Sequence, residues 1–253
     1  MIANSRWHKI QARERIDIKK ATQKYPELKA RILGFLAGDG SVQVRTDKAR
    51  TTHHDIVFYP DHESLVLIFI DAFARIYGKD PTVRKCKGFF SVRVSSKSAC
   101  ADLRESADFG VLNWNVPVNF LISSEFELEW LKAYFDCEGY VGKKNIQLQT
   151  VNKKGLLNVQ QLLLKHDIDS RIYEYKRQNP KWNINYLLFI NKKSAIKTFF
   201  KKVCFNHSVK ARKLKELSAS VPEPGNGLAS SNRESECPQG HESSNLSAGV
   251  NNI

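Results

Sequence analysis

An α+β fold of two similar halves, each running α-β-β-α-β-β-α, is predicted by three features of this 253-residue chain. The first is a doubled motif. Ile32-Leu33-Gly34-Phe35-Leu36-Ala37-Gly38-Asp39-Gly40 aligns with Leu131-Lys132-Ala133-Tyr134-Phe135-Asp136-Cys137-Glu138-Gly139, and the acids before the final Gly are 99 residues apart. Internal repeats of this kind set the architecture before any local reading does. The second is a later echo: Val92–Ala99 matches Leu188–Ala195 at an offset of 96. The third is that helical and strand periodicities follow each other in the same order twice.

In the first half, Tyr25-Pro26-Glu27 opens a helix, since proline at the first turn loses no needed hydrogen bond. The helix holds the first motif and ends at Asp39-Gly40, where Gly40 is expected to supply the left-handed stop. Val42 and Val44 then alternate with Gln43 and Arg45, which predicts a half-buried strand over 41–45. A polar turn leads to a second strand over 54–59. Pro60-Asp61 is expected to cap a helix over 62–76. Strands over 82–86 and 89–94 flank Lys87-Gly88, a helix runs from Ser95/Ser96 to Ser106, and Trp114 anchors a linker to Pro117. The second half repeats this. Ser124 and Glu127 form a capping pattern for the second motif helix. Strand material covers 141–150, a helix 153–166, strands 170–176 and 183–190, and helices 193–203 and 208–217. The expected organisation is a basic N-terminal segment over 1–24, repeats over 25–117 and 118–217, and a disordered tail over 218–253, where Ser, Asn, Gly, Pro and Glu dominate. In the first segment, Trp7, Ile10 and Ile18 either pack on the core or belong to an arm lying on a polyanion.

The formal charge is +14 and the pI about 9.6. The tail carries −3, so the first 217 residues carry +17. This balance points to a polyanionic partner, and to a nucleic acid rather than a membrane, because no window offers 18 consecutive apolar residues. Generic basicity is the alternative. The five cysteines are odd in number and irregularly spaced, so no disulfide framework is expected. Cys237 and His241 are two ligands in the tail, short of a zinc site. The polar N-terminus carries no signal peptide, and the expected compartment is intracellular, the cytoplasm first.

Small residues four apart, Gly34/Gly38 and Ala133/Cys137, give each motif helix a face that a second helix can approach closely. Helices packed on those faces would bring Asp39 and Glu138 together. Two adjacent carboxylates repel, and an oxygen-loving divalent cation such as Mg²⁺ relieves them. Such a cation can also activate water against a phosphodiester.

Both copies resemble the motif of the LAGLIDADG homing endonucleases in their single-chain, two-motif form. The resemblance spans about residues 25–217. It implies a saddle of two four-stranded antiparallel sheets, helices above and double-stranded DNA below. It further implies a monomer that hydrolyses phosphodiesters in both strands at a long site, as in intron homing, with Mg²⁺ held by Asp39 and Glu138 as catalytic acids. Ala37 stands where the pattern has its first acid, a position that is not a metal ligand. The family places a basic residue late in each half; Lys210 is the candidate, and none matches around 113–116, so one half is expected to be the less active. DNA contacts fall to strand residues facing away from the core: Gln43 and Arg45, Arg93 with Ser91, Gln147 and Gln149, and Arg171, Tyr173 and Tyr175. Arg84, Lys85 and Lys87 join them from the hairpin. Arginine reads guanine and glutamine adenine, while lysines neutralise phosphates. The alternatives are an RNA maturase acting on intron RNA, a non-cleaving DNA-binding protein, or a basic structural protein of a ribonucleoprotein.

Overall fold

A computed structural model describes residues 2–176, 181 and 183–219, with the side chains of 2–9 and 11 excepted. The expectations for Trp7 and for Cys237, His241 and the rest of 220–253 lie outside these residues. The basic N-terminal stretch is one long helix, α1 (Ile2–Lys24). Its Ile18 is buried, Ile10 is exposed, and Glu14 accepts hydrogen bonds from Ser98 Oγ (2.8 Å) and Lys79 Nζ (3.3 Å), which fastens it to the first half.

The first half then runs α2 (Pro26–Asp39), β1 (Gly40–Thr46), β2 (Thr52–Phe58), α3 (Glu63–Tyr77), β3 (Thr82–Lys85), β4 (Phe90–Ser95) and α4 (Lys97–Ser106). The second runs α5 (Ser124–Glu138), β5 (Tyr140–Val141), β6 (Ile146–Thr150), α6 (Lys153–Lys165), β7 (Arg171–Tyr175), β8 (Asn185–Ile190), α7 (Lys193–Lys202) and α8 (Ser208–Ala219). Each half builds a four-stranded antiparallel sheet in matching order, β1-β2-β4-β3 and β5-β6-β8-β7. The second strand of each sheet sits between the first and the fourth, so the two hairpins join through β2–β4 and β6–β8.

Alternation decides which face each sheet buries. Val92 and Val94 of β4 are buried while Arg93 and Ser95 are exposed; Ile146 and Leu148 of β6 are buried while Gln149 is exposed. The helices cover the apolar faces. In the first half Phe35, Phe58 and Phe69 interlock, with centroids 5.0 Å apart for Phe35–Phe58 and 4.8 Å for Phe58–Phe69. In the second, Phe135 meets Phe199 edge-on at 4.8 Å. Burying such a ring contributes about 1.5–3 kcal/mol, so these clusters hold each helix layer to its sheet.

Two local expectations are corrected. Gly40 is not left-handed: its φ of −120° is extended, and it begins β1 directly. Glycine is needed there because a Cβ would stand 2.4 Å from Leu36 Cα. The cap of α5 is Ser123, which accepts from Phe126 N–H, and not Ser124 with Glu127. Glu127 is instead buried, bonded to Lys165 Nζ (2.5 Å) and His166 Nε2 (2.9 Å), and so ties α5 to the end of α6. Cys86, Cys100 and Cys137 are free thiols, and Cys204 is disulfide-bonded. No helix among the described residues is long and apolar enough to cross a membrane.

Candidate active site

The most extensive contact between elements is α2 against α5, the two motif helices. Its closeness follows from the small residues. A Cβ on Gly34 would stand 2.5 Å from the Trp130 carbonyl oxygen and 2.8 Å from Ala133 Cβ; one on Gly38 would stand 2.5 Å from Cys137 Cβ. Arg31 and Glu129 bridge the same seam, Nη2 to Oε2, at 2.7 Å.

The seam delivers Asp39 and Glu138, the last residues of α2 and α5, to one place. Burial first, and the Asp39 charge second, raise the Glu138 carboxyl to about 7 against the opposing pull of Lys210. Asp39 is raised for the same first reason, burial, with Lys210 opposing and Asp61 adding to the rise. This is the electrostatic signature of carboxylates held close and partly dry. An all-oxygen donor pair that resists double ionisation suits a hard divalent cation. No cluster of three His, Cys, Asp or Glu ligands occurs among the described residues, so the pair would need water or phosphate oxygens to complete a shell.

The surroundings of the two acids differ. On one side, Lys210 Nζ donates to the carbonyl oxygens of Asp136 (2.5 Å) and Cys137 (2.9 Å), the end of α5. A cation at a helix C-terminus is favoured by the unpaired carbonyls there. Asp136 fixes the segment that carries Lys210. Its fully buried carboxylate accepts from Asn206 N–H (2.8 Å), Asn206 Nδ2 (2.9 Å) and His207 N–H (2.9 Å). Burial still pushes Asp136 up to about 6, against those donors and Lys210. The same segment reaches the first half: His207 Nε2 lies 3.4 Å from Asp61 Oδ1, the His62 and His207 rings lie 4.6 Å apart, and Ser64 Oγ donates to Asn206 O. The His207 hydrogen bond holds the Asp61 carboxyl below its ordinary value.

On the other side is a cavity of about 400 Å³ lined by Ala37, Gly38, Gln43, Gly110, Val111, Trp114, Glu138 and Gln149 among others. None of its lining residues is basic. Residues 107–117 follow α4 and bring Trp114 to the wall of this cavity. Trp114 packs on Tyr134 at 4.8 Å and receives a hydrogen bond from Asn152 Nδ2 at its carbonyl.

Sequence reasoning passed over Asp61, His62, Asp136, Asn206 and His207 here. Asp61 was read as a helix cap, yet the cap of α3 is His62, whose Nδ1 accepts from Ser64 N–H. Asp136 sat in the motif in plain view, but its partners are 70 and 71 residues later.

The register sorts the strand residues. Gln43 pairs with Asp55 and Asp55 with Ser95, Arg45 with His53, Arg84 with Ser91, and Thr82 with Arg93, so Gln43, Arg45, Arg84, Ser91 and Arg93 share the outward face of the first sheet. Arg45 rests on Asp55 at 3.1 Å. Lys85, on the hairpin as expected, pairs with Phe90 on the opposite face, its ammonium 6.0 Å from that ring. Lys87 is exposed in the turn. In the second sheet Gln147 and Gln149 pair with Phe189 and Leu187, and Arg171, Tyr173 and Tyr175 pair with Phe189, Leu187 and Asn185, so all lie on one outward face. Leu187, Phe189 and Tyr140 share that face and were not nominated; an apolar outward residue gives no parity signal.

Two α-β-β-α-β-β-α halves joined by paired motif helices, with acids at the base of the seam, define the fold. Residues 125–204 match the LAGLIDADG-like domain family. An uncharacterized protein of Methanocaldococcus jannaschii is 24% identical over 206 residues, covering 78% of this chain and 73% of that protein. The replication factor C small subunit of the same organism is 25% identical over 197 residues, 76% of this chain but only 10% of that protein's length. Among solved structures, I-DmoI in complex with DNA and Ca superposes with a TM-score of 0.59 at 18% identity, covering 75% of this chain and 97% of that one. I-DmoI with DNA and Mn gives 0.57 at 18%, covering 70% and 96%. I-DmoI is a homing endonuclease. The chain thus carries a LAGLIDADG-like domain in its second half and the LAGLIDADG fold across both halves, and the resemblance drawn from the two motifs holds.

Proposed function

We propose that this protein is a site-specific DNA endonuclease whose cleavage centre is Asp39 and Glu138, with Lys210 as its basic partner. The observation that carries this reading is the meeting of the two acids at the base of the glycine seam, where a Cβ on Gly38 would stand 3.6 Å from Glu138 Cγ and the Asp39 charge raises the Glu138 carboxyl. A divalent cation bound there, Mg²⁺ or a relative, would polarise the scissile phosphate and lower the pKa of a bound water. The chain's own residues do the rest. The outward sheet faces bind the duplex through Arg45, Arg84, Arg93 and Arg171 and through the glutamines and tyrosines beside them, with Lys87 at a phosphate. The seam fixes the spacing of the acids. Lys210, anchored by two carbonyl oxygens, holds positive charge where the phosphate's negative charge grows.

The two sides of the centre are unequal, so the strand whose phosphate sits beside Lys210 is cut faster. The test is incubation with Mg²⁺ and a plasmid carrying the uninterrupted host locus or an enriched binding site. Nicking followed by double-strand breaks, lost in Asp39→Asn and Glu138→Gln, supports the reading. Full activity in either variant overturns it. The second reading, a DNA- or RNA-binding protein that does not cut, is favoured by one observation, the cavity beside Glu138 without a basic residue. It predicts affinity for nucleic acid with no metal-dependent product.

A further inference from the structure

The two outward sheet faces differ in chemistry as well as in position. On the first sheet the long polar side chains named above are three arginines, Arg45, Arg84 and Arg93, and one glutamine, Gln43. Arg45 leans on Asp55, and Arg84 and Arg93 are exposed without an ion-pair partner among the described residues. On the second sheet, among the described residues, a single arginine, Arg171, stands among Gln147, Gln149, Tyr173, Tyr175 and Phe189. Tyr173 and Tyr175 are 48% and 54% exposed, and Tyr173 meets Phe189 edge-on at 5.6 Å, so this face offers aromatic carbon to a groove.

Base edges respond to these groups differently. The paired donors of an arginine match the O6 and N7 acceptors of guanine. Glutamine matches adenine, and apolar carbon meets the thymine methyl. We infer that the recognition site is compositionally lopsided: the half under the first sheet is rich in G·C pairs, and the half under the second in A·T pairs. This rests on the DNA-binding reading above and names its substrate class more narrowly. The sequence repeat makes it unexpected, because like halves would read like half-sites. The buried residues of the opposite faces are alike: Ile56, Phe58, Val92 and Val94 in the first sheet, and Val141, Ile146, Leu148, Leu188 and Ile190 in the second.

The test is selection of bound duplexes from a randomised library with the full chain and Ca²⁺ or no metal, followed by sequencing. One flank enriched in G·C and the other in A·T is the expected result. Arg93→Gln should then relax the G·C flank alone, by roughly tenfold at one position, and Gln149→Ala the A·T flank alone. Both side chains are exposed, and thermal melts of the variants check that the fold is kept. Flanks of equal composition, or an Arg93 variant that relaxes the A·T flank, overturn the inference while leaving DNA binding intact. No affinity for any duplex overturns the proposed function itself, and this inference with it.

Discussion

Gly38 approaches Cys137 so closely that a Cβ on the glycine would stand 2.5 Å from the cysteine's own Cβ. Gly34 is tighter in kind, because the atom its Cβ would strike, 2.5 Å away, is the Trp130 backbone oxygen. A side chain can rotate aside, whereas a carbonyl in a helix cannot move without its hydrogen-bond ladder. Gly34→Ala should therefore destabilise by about 1–3 kcal/mol through overpacking, which for a chain of this size lowers Tm by about 2–10 °C. Gly38→Val should do as much and should also spread the acids. Calorimetry reads the first effect and cleavage rate the second.

Metal-free protein should lose stability as pH rises from about 4.5 through 7. Glu138 binds its proton more tightly folded than unfolded, with a folded value of about 7 against an ordinary 4.5. Its contribution is complete below 4.5 and gone above the folded value. Glu138→Gln should flatten that slope. Mg²⁺ should raise Tm more at pH 8 than at pH 6, since the cation must displace the proton. Melting curves across pH with and without Mg²⁺ check this.

Lys210→Met should slow one strand far more than the other. Removing one charge stabiliser from such a centre costs about 10²–10³ in rate, and the Glu138 cavity has no basic group to lose. Lys210→Arg keeps charge but not the geometry of the two carbonyl bonds, and should fall between. Strand-specific end labels distinguish the two cuts. Equal slowing of both strands would contradict the one-sided arrangement.

Asp136→Ala should act through the chain end. It leaves the buried His207 N–H and two partly buried N–H groups of Asn206 without their acceptor, at about 1–3 kcal/mol for the buried donor and less for the others. The expected outcome is a clear fall in Tm, with proteolysis appearing first around residues 203–208. Asp136→Asn retains an acceptor oxygen and should lose less.

The doubled motif made the fold legible, because helix faces of small residues and the order of strand and helix periods are local patterns that repeat. Outward parity was legible for the same reason at Gln43, Arg93 and Gln149. Lys85 belongs to the hairpin and not to the parity set, and the register of β3 puts it opposite Phe90. Asp136 and Asp61 were not legible as parts of one arrangement. Their partners come from 203–208, brought back by tertiary packing that no short window of sequence contains. Gly40 was read for its torsion when its reason was crowding against Leu36.

The bond network around Asn206, His207 and Lys210 also sets a timetable. Both acids are in the chain by residue 138, and the halves that carry them can begin to fold as they emerge. The lysine beside them belongs to α8, the last described helix, and so is made some 70 residues later. A nascent chain therefore displays the outward sheet faces of its first half before its centre is complete. On the proposed function, a partly made chain would meet a duplex before the lysine that sets its two sides apart exists.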